Sequence, residues 1–423
     1  MKNLSKNVIK GLLLFCILVY SGKALAQDDS MQKSAEIYGF IMMDAGYNMN
    51  QIHPDWFDVV RPTKLPTLKN QYGADGNTYF SVRQTRFGIK NYFDTPLGEL
   101  KTQFEFEMFG TGVDAGQTTI RLRHAYGELG KFGAGQYWSP FMDIDVFPNT
   151  VEYWGPCGMV FFRNVQFRYM PIQGDSRLTI ALERPGASAD GGVYSEYIQA
   201  NTNLAAHFPL PDLSFEYRKA IKPGYIELAG IVRQMKWEDL DNVGEDLSGS
   251  ALGWGLNLST NLKIGDKVTF RGQAVYGEGI ENYMNDAPVD VAVEFDGTKA
   301  DGVALPVLGL VGFFDINWSE KLSSSIGYSM TDIDNSGDLD PNTPLGGQAY
   351  DAFSKGQYAV ANLMYYPAKN VMMGVEYQYG SRENFGDSPV PNDAYLKTTS
   401  ISKVQFSFKY NFSQVFYKNH GPM

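Results

Sequence analysis

The sequence of 423 residues has little cysteine, few basic residues for its acidic content, and almost no helical periodicity. Its two cysteines, Cys16 and Cys157, cannot form the disulfide framework of a small secreted domain. The 36 basic residues are outnumbered by 47 acidic ones, which argues against nucleic acid as a partner. After residue 26, no apolar run approaches the ~20 residues that a membrane-spanning helix needs.

The N-terminus has the pattern of an export signal. Three lysines precede the apolar run GLLLFCILVYS, and the small-residue stretch KALAQ follows it. This order predicts a cleavable signal peptide at 1–26, followed by a short segment at 27–35. A membrane anchor is the alternative, but the apolar run is too short for one. Removal of 1–26 removes four lysines and no acid, so the net charge moves from −11 to −15.

Apolar and polar residues alternate with a period of two through most of the remaining chain. In LKTQFEFEMFG, Phe104 and Phe106 fall on one face, and Glu105 and Glu107 fall on the other. Such alternation is typical of strands with one apolar and one polar face. About sixteen segments have strand character. They lie at 36–47, 79–93, 99–110, 118–130, 132–138, 162–170, 177–184, 211–219, 225–237, 250–261, 267–277, 305–318, 322–332, 356–366, 371–383 and 400–412.

Short and long connections alternate between these segments. The short ones are DTPLG, GK, PIQGD, AIKPG, NLKIGD, NWSEK and YPAKN. A meander with this alternation has tight turns on one side and long loops on the other, as outer-membrane barrels have. Because lipid cannot satisfy an open sheet edge, the sheet must close. The sequence therefore predicts an all-β fold, a transmembrane antiparallel up-and-down β-barrel of about 16 strands. It spans 36–412, with short periplasmic turns, long external loops and a C-terminal tail at 413–423.

A soluble β-sandwich is the alternative fold. It would use the apolar strand faces to fill a core. It explains neither the alternation of loop lengths nor the charges in the middle of so many strands.

Basic residues recur on the polar strand faces, which become the lumen of the predicted barrel. The predicted basic wall of the pore consists of Arg86, Lys90, Arg121, Arg123, Arg168 and Arg271. Two interpretations stay open. The guanidinium groups can pair with wall acids such as Glu105 and Glu107, or they can attract permeant anions. Both can hold at once.

The connection at 139–161 is unusually rich in aromatic and acidic residues for a loop. A barrel of this size has an aqueous channel into which such a loop can fold. We expect its aromatic residues to pack on the wall, and Asp143, Asp145 and Glu152 to face the basic wall across a constriction. Opposed charges at a constriction orient dipolar solutes and set ion preference. The alternative is an external loop that caps the barrel mouth.

Three stretches resemble the DcaP-like trimeric outer-membrane porins: RQTRFGIKNYFDTPLGELKTQFEFEMFG, IRLRHAYGELGKFGAGQYWSPFMD and NLMYYPAKNVMMGVEYQYGSREN. The close match covers roughly 79–170 and 356–384. The resemblance implies a homotrimer of sixteen-stranded barrels, an inward third loop and a bias towards small anionic solutes. It places Arg86, Arg121 and Arg123 on the wall and Asp143 in the inward loop. QDDSMQKSAE is shorter than the helical extension of some relatives, and the chain continues beyond Phe412.

Other motifs are weak. DIDNSGDLD offers a partial calcium loop with Asp332, Asp334 and Asp338, but its twelfth position is Thr343 rather than glutamate. The histidines lack metal-ligand spacing, and no nucleophile motif is present. We therefore predict neither an enzyme nor a cofactor.

The sequence predicts a porin of the bacterial outer membrane that passes small hydrophilic solutes, with a preference for anions, by passive diffusion. Its expected partners are membrane lipid, lipopolysaccharide, the solutes and further copies of the chain. The alternative is a substrate-specific or receptor-like barrel whose external loops bind a ligand or partner.

Overall fold

The computed structural model describes residues 32–186, 203–240, 246–295, 300–335, 351–387 and 394–417. The strands are β1 Gln32–Asn48, β2 Asn77–Ser81, β3 Arg86–Thr95, β4 Gly98–Phe109, β5 Thr118–Leu129, β6 Phe132–Trp138, β7 Arg163–Ile172, β8 Arg177–Glu183, β9 Leu204–Ala206, β10 Asp212–Ile221, β11 Gly224–Asp239, β12 Gly249–Ile264, β13 Val268–Glu278, β14 Val291–Phe295, β15 Ala300–Ala304, β16 Pro306–Ser319, β17 Leu322–Ile333, β18 Phe353–Tyr365, β19 Val371–Asn384 and β20 Thr398–Tyr417. Short 3-10 helices occupy Pro54–Trp56, Pro62–Lys64, Gly112–Asp114, Ile144–Val146 and Glu281–Tyr283.

Sixteen of these strands form one closed antiparallel barrel, which confirms the predicted fold class. Consecutive barrel strands pair with each other, and β1 pairs with β20 from Ser34↔Tyr417 to Asn48↔Lys403. β2 pairs with the end of β1, β9 pairs with the end of β11, and β14 and β15 form a separate two-stranded antiparallel sheet. β20 extends to Tyr417, so residues 413–417 of the predicted tail belong to the last strand.

Tight turns and long loops alternate around the barrel, as the sequence predicts. Tight turns join β3 to β4, β5 to β6, β7 to β8, β10 to β11, β12 to β13, β16 to β17 and β18 to β19. Three long connections matter below. They are the first loop (49–76), the inward loop (139–161) and the sixth loop (279–305). Within the described ranges, no helix is long and apolar enough to cross a membrane.

The side chains of each strand alternate between an apolar outer face and a polar lumen. On β12, Leu256 and Leu258 are 49% and 53% exposed, whereas Asn257 and Ser259 are buried. This follows from the pleat, which points successive side chains to opposite faces. The apolar faces lie outside, where lipid covers them, and not in a shared core. The soluble sandwich is therefore excluded.

A register shift in β5 changes the local alternation. Glu105 of β4 pairs with His124, but the next residue, Phe106, pairs with Leu122. The extra residue is Arg123, and both Arg123 and His124 are buried. A bulge of this kind inserts one residue into one strand only. It concentrates polar side chains on the lumen side of β5.

Candidate pore and inward loop

The inward loop leaves the wall after Trp138 and crosses the lumen. Its backbone carbonyl at Phe141 accepts a hydrogen bond from Asn257 of β12 at 2.9 Å. Further along, the amides of Val151 and Glu152 donate to Glu376 of β19 at 2.9 and 3.1 Å. The loop therefore lies inside the barrel and is fastened to both of these wall strands.

The C-terminal part of the inward loop, around Gly158, lies directly on the backbone of the wall strands. A Cβ on Gly158 would lie 1.9 Å from the carbonyl oxygen of Met330, and one on Gly309 would lie 2.3 Å from that of Gly158. These approaches require glycine because any side chain would collide with backbone atoms. The Gly158 amide also donates to Ser329 at 2.9 Å. This part of the loop thus has no water-filled gap beneath it at these contacts.

Asp143 and Asp145 meet an arginine that the sequence prediction did not include. Arg218 of β10 donates to Asp143 at 2.6 Å and to Asp145 at 2.5 Å. Asp143 also accepts from Tyr225 at 2.6 Å and from Ser259 at 2.7 Å, and it is completely buried. Asp143 therefore does not face Arg86, Arg121, Arg123 or Arg168 as expected, whereas Asp145 lines one cavity together with Arg168. The reason is that the loop bends towards β10–β12 before it crosses the lumen.

Glu152 lies at the far end of the inward loop and serves as an acceptor for backbone groups. It accepts from the amide of Val60 in the first loop at 3.0 Å and from that of Gly155 at 2.5 Å. Tyr358 of β18 donates to it at 3.3 Å. Because Glu152 is buried, these bonds join the inward loop, the first loop and the wall.

Three predicted wall arginines pair with two wall acids. Arg123 donates to Glu105 and to Glu107 at 2.6 Å each. Arg86 and Arg121 each lie 3.2 Å from Glu107. The side chain of Arg123 is 4% exposed, whereas Arg86 and Arg121 keep 24% and 22%. Pairing with wall acids thus accounts for Arg123, whereas Arg86 and Arg121 stay partly exposed.

The other predicted wall residues lie apart from that cluster. The Lys90 ammonium lies 4.6 Å from the ring of Tyr38. Arg168 donates to Gln166 at 3.0 Å and to the carbonyl of Trp138. Arg271, on the far side at β13, donates to Asp315 at 2.5 Å and to the carbonyl of Asp145. The residues of the predicted basic wall therefore form separate groups and not one continuous wall.

A cavity of about 420 Å³ lies beside the inward loop where the loop meets the wall. We call it the outer cavity. Its lining includes three arginines, Arg121, Arg163 and Arg184, together with Phe161 and Tyr153. Among the described residues that line it, none is acidic. The alternation of polar and apolar residues could not identify Arg163 as a cavity residue. Arg163 is the first residue of β7 and lies two positions before Val165, so the alternation assigns it to the same outer face.

A second cavity of about 390 Å³, the inner cavity, lies on the other side of Trp138. Charges of both signs line it. The basic residues are Lys101, Arg168 and Arg177, and the acidic residues are Glu128, Asp145 and Glu216. Asp145 is 45% exposed there. The two cavities thus differ in charge, with an excess of arginine in the outer one.

The first, inward and sixth loops join in a buried cluster, here named the loop knot (Trp56, Arg61, Thr63, Trp154 and Asp286). The Arg61 guanidinium lies 4.2 Å from the ring centre of Trp56 and 3.9 Å from that of Trp154. Its Nε donates to Asp286 at 2.9 Å. Asp286 also accepts from the amide and the hydroxyl of Thr63 at 2.9 and 2.6 Å. The knot therefore holds the first and sixth loops against the inward loop.

The described residues contain no cluster of three or more His, Cys, Asp or Glu side chains that could hold a metal ion. In the calcium candidate, Asp332 accepts from Lys355 at 2.9 Å. Asp338 lies outside the described residues.

The closed barrel, the apolar outer face, the polar lumen and the inward loop together define an outer-membrane porin. The chain belongs to the DcaP outer membrane protein family, whose model matches residues 20–412, and the predicted resemblance is confirmed. The predicted location in the outer membrane is confirmed with it. Family and fold support a channel. No curated protein matches the sequence.

Solved structures share the fold at low sequence identity. The outer membrane channel DcaP of Acinetobacter baumannii is 20% identical, with a TM-score of 0.69 over 89% of this chain and 97% of that one. An anion-selective porin from Comamonas acidovorans is 10% identical, with a TM-score of 0.55 over 90% and 100%. OmpT of Vibrio cholerae is 11% identical, with a TM-score of 0.52 over 91% and 99%.

Proposed function

We propose that this protein is a passive diffusion porin for small hydrophilic anions. The observation that carries the proposal is the excess of arginine over acidic residues in the lining of the outer cavity. Arg163 is 10% exposed and lies 3.9 Å from Glu107, but its Nη1 has no hydrogen-bond partner among the described residues. A buried guanidinium nitrogen without an acceptor is costly, and an anion in the cavity would supply the missing acceptor.

The overall charge of the chain does not oppose this selectivity. The charge of −15 that is expected after removal of residues 1–26 would favour cations if it acted as a whole. Salt screens fields beyond ~8 Å at physiological ionic strength. The charges that line the cavities should therefore decide which ions pass, and the outer cavity carries the excess of one sign.

Reversal potentials under a salt gradient test the proposal. The wild type should prefer anions, and the double variant Arg163→Gln with Arg184→Gln should shift the reversal potential towards cations. Lys131→Gln is the matched control, because it removes one positive charge at an exposed tight turn and its side chain lines neither cavity. If the wild type preferred cations, or if Lys131→Gln caused the same shift as the double variant, anion selection by the outer cavity would be wrong.

We also propose that the porin is a homotrimer, as the family resemblance implies. β5 pairs with β6 only from Ala125↔Gln136 to Leu129↔Phe132, so its first half has no partner strand on that side. An unpaired strand edge is costly in a membrane. The outward residues Ile120 and Phe104 nearby are 70% and 44% exposed. A neighbouring subunit on this surface would cover the edge, with lipid and lipopolysaccharide around the remaining outer face.

A further inference from the structure

The inward loop packs tightly against one side of the lumen. Its buried residues Phe141, Val146 and Met159 pack in one apolar cluster with Val275 of β13 and Tyr358 of β18. The same cluster extends to wall residues of β11, β16 and β20. Close-packed side chains leave no room for a hydrated solute. Along β11–β20, the loop and the wall are therefore in contact.

The outer and inner cavities both lie on the opposite side, along β5–β8. Arg163 and Phe161 line the outer cavity, whereas Trp138 and Arg168 line the inner one. The Trp138 ring lies 5.2 Å from the Phe161 ring and 5.2 Å from the Arg163 guanidinium. Trp138 thus contacts two residues of the outer cavity while it lines the inner one, so the half-buried indole separates the two spaces.

The indole has a defined position. Its backbone carbonyl accepts hydrogen bonds from Gln166 at 3.0 Å and from Arg168. The His124 ring lies 5.0 Å away at an interplanar angle of 77°, and the Arg123 guanidinium lies at 5.4 Å. An aromatic ring with a guanidinium nearby is favourable by cation–π attraction. The side chain is therefore a fixed barrier between the cavities.

We propose that solutes cross this barrel along β5–β8, and that Trp138 forms the narrowest point of that route. The inference rests on the proposed porin function, but it concerns the path rather than the ion preference. It assigns the size limit of the pore to an aromatic residue at the root of the inward loop. The acids Asp143 and Glu152 have no direct part, because their carboxylates are buried in contacts with other groups.

Cysteine accessibility in planar bilayers tests the route. Trp138→Cys is exposed to a negatively charged methanethiosulfonate reagent during single-channel recording, and its conductance should fall by roughly half. Val151→Cys is the matched control, because Val151 lies in the same loop but is 1% exposed on the far side. It should not respond. The wild type should not respond either, since Cys157 is buried.

A second variant keeps the test informative if Trp138→Cys does not assemble. Trp138→Phe retains an aromatic ring but is smaller, so it should raise the conductance, whereas Trp56→Phe in the loop knot, which lines neither cavity, should not. A fall in conductance for Val151→Cys, or an open Trp138→Cys channel that ignores the reagent, would overturn the proposed route. A wild type with no conductance would instead overturn the porin function itself.

Discussion

Replacing Asp286 with asparagine should release the first loop from the sixth loop. The side chains of Arg61 and Asp286 are 6% and 0% exposed, so their ion pair is screened little by water. Asparagine has nearly the same shape but offers one acceptor oxygen in place of two. It would also turn an amide donor towards Arg61 or towards Thr63, which both donate to Asp286 now.

The magnitude follows from these contacts. Breaking a buried ion pair by removing one partner typically costs 3–5 kcal/mol. The two tryptophan rings still stabilise the Arg61 guanidinium by cation–π attraction, which offsets part of this loss. We therefore expect the free energy of local opening to fall by about 3 kcal/mol, or roughly a hundredfold in the opened population.

Hydrogen exchange of the first loop measures this change. The reporter amides are those of Lys64 and Leu65, which donate to the carbonyls of Arg61 and Pro62 at 2.9 and 3.2 Å. Their exchange should accelerate in Asp286→Asn, while the barrel strands keep their protection. Asp332→Asn, which breaks a solvent-exposed ion pair with Lys355, is the matched control and should leave these amides unchanged. Unchanged exchange in Asp286→Asn would show that the ion pair does not hold the knot.

Three further predictions concern the loops and the outer surface. Glu281 of the sixth loop is completely buried, and burial raises its pKa well above the usual range. Because the folded loop holds this proton to higher pH than the unfolded chain, its stability falls as pH rises; Glu281→Gln should therefore slow exchange in the sixth loop at pH 8 and not at pH 4, and a pH-independent effect would contradict this. Phe106→Arg should weaken the oligomer more than Leu256→Arg in native gels, since both cost a few kcal/mol in lipid but only Phe106 lies near the unpaired edge; equal losses would remove that interface. An epitope inserted at 112–114 should be reachable by antibody on intact cells and one at 367–369 should not; the reverse labelling would invert the topology.

The fold is predictable from the sequence because two independent periodicities agree. Alternation within each strand specifies which side chains face lipid, as at Leu256 and Asn257. Alternation of loop lengths specifies an up-and-down order with both termini on the tight-turn side. Neither pattern depends on contacts between residues that are distant along the chain.

The arrangement of the lumen is less predictable for the opposite reason. The alternation along β10 places Arg218 on the lumen face, but nothing in the neighbouring sequence indicates that it binds Asp143, which is distant along the chain. The loop knot joins residues more than two hundred positions apart. One local signal was available, because HPDWFDVVRPTKLP in the first loop is rich in apolar and aromatic residues, as the inward loop is. The same argument that placed 139–161 inside the barrel applies to that stretch.

The pairing of β1 with β20 has a consequence for the order in which this protein folds. Ser34 lies opposite Tyr417, so the contacts that close the sheet join the two ends of nearly the whole chain. Contacts of such high sequence separation form slowly, because the entropy of closing a long loop is lost before they stabilise the fold. Until the last strand arrives, the first strand has an open edge that can pair with other chains. The barrel can therefore close only after its final strand has been exported. Until then, the open edge of β1 exposes the chain to aggregation.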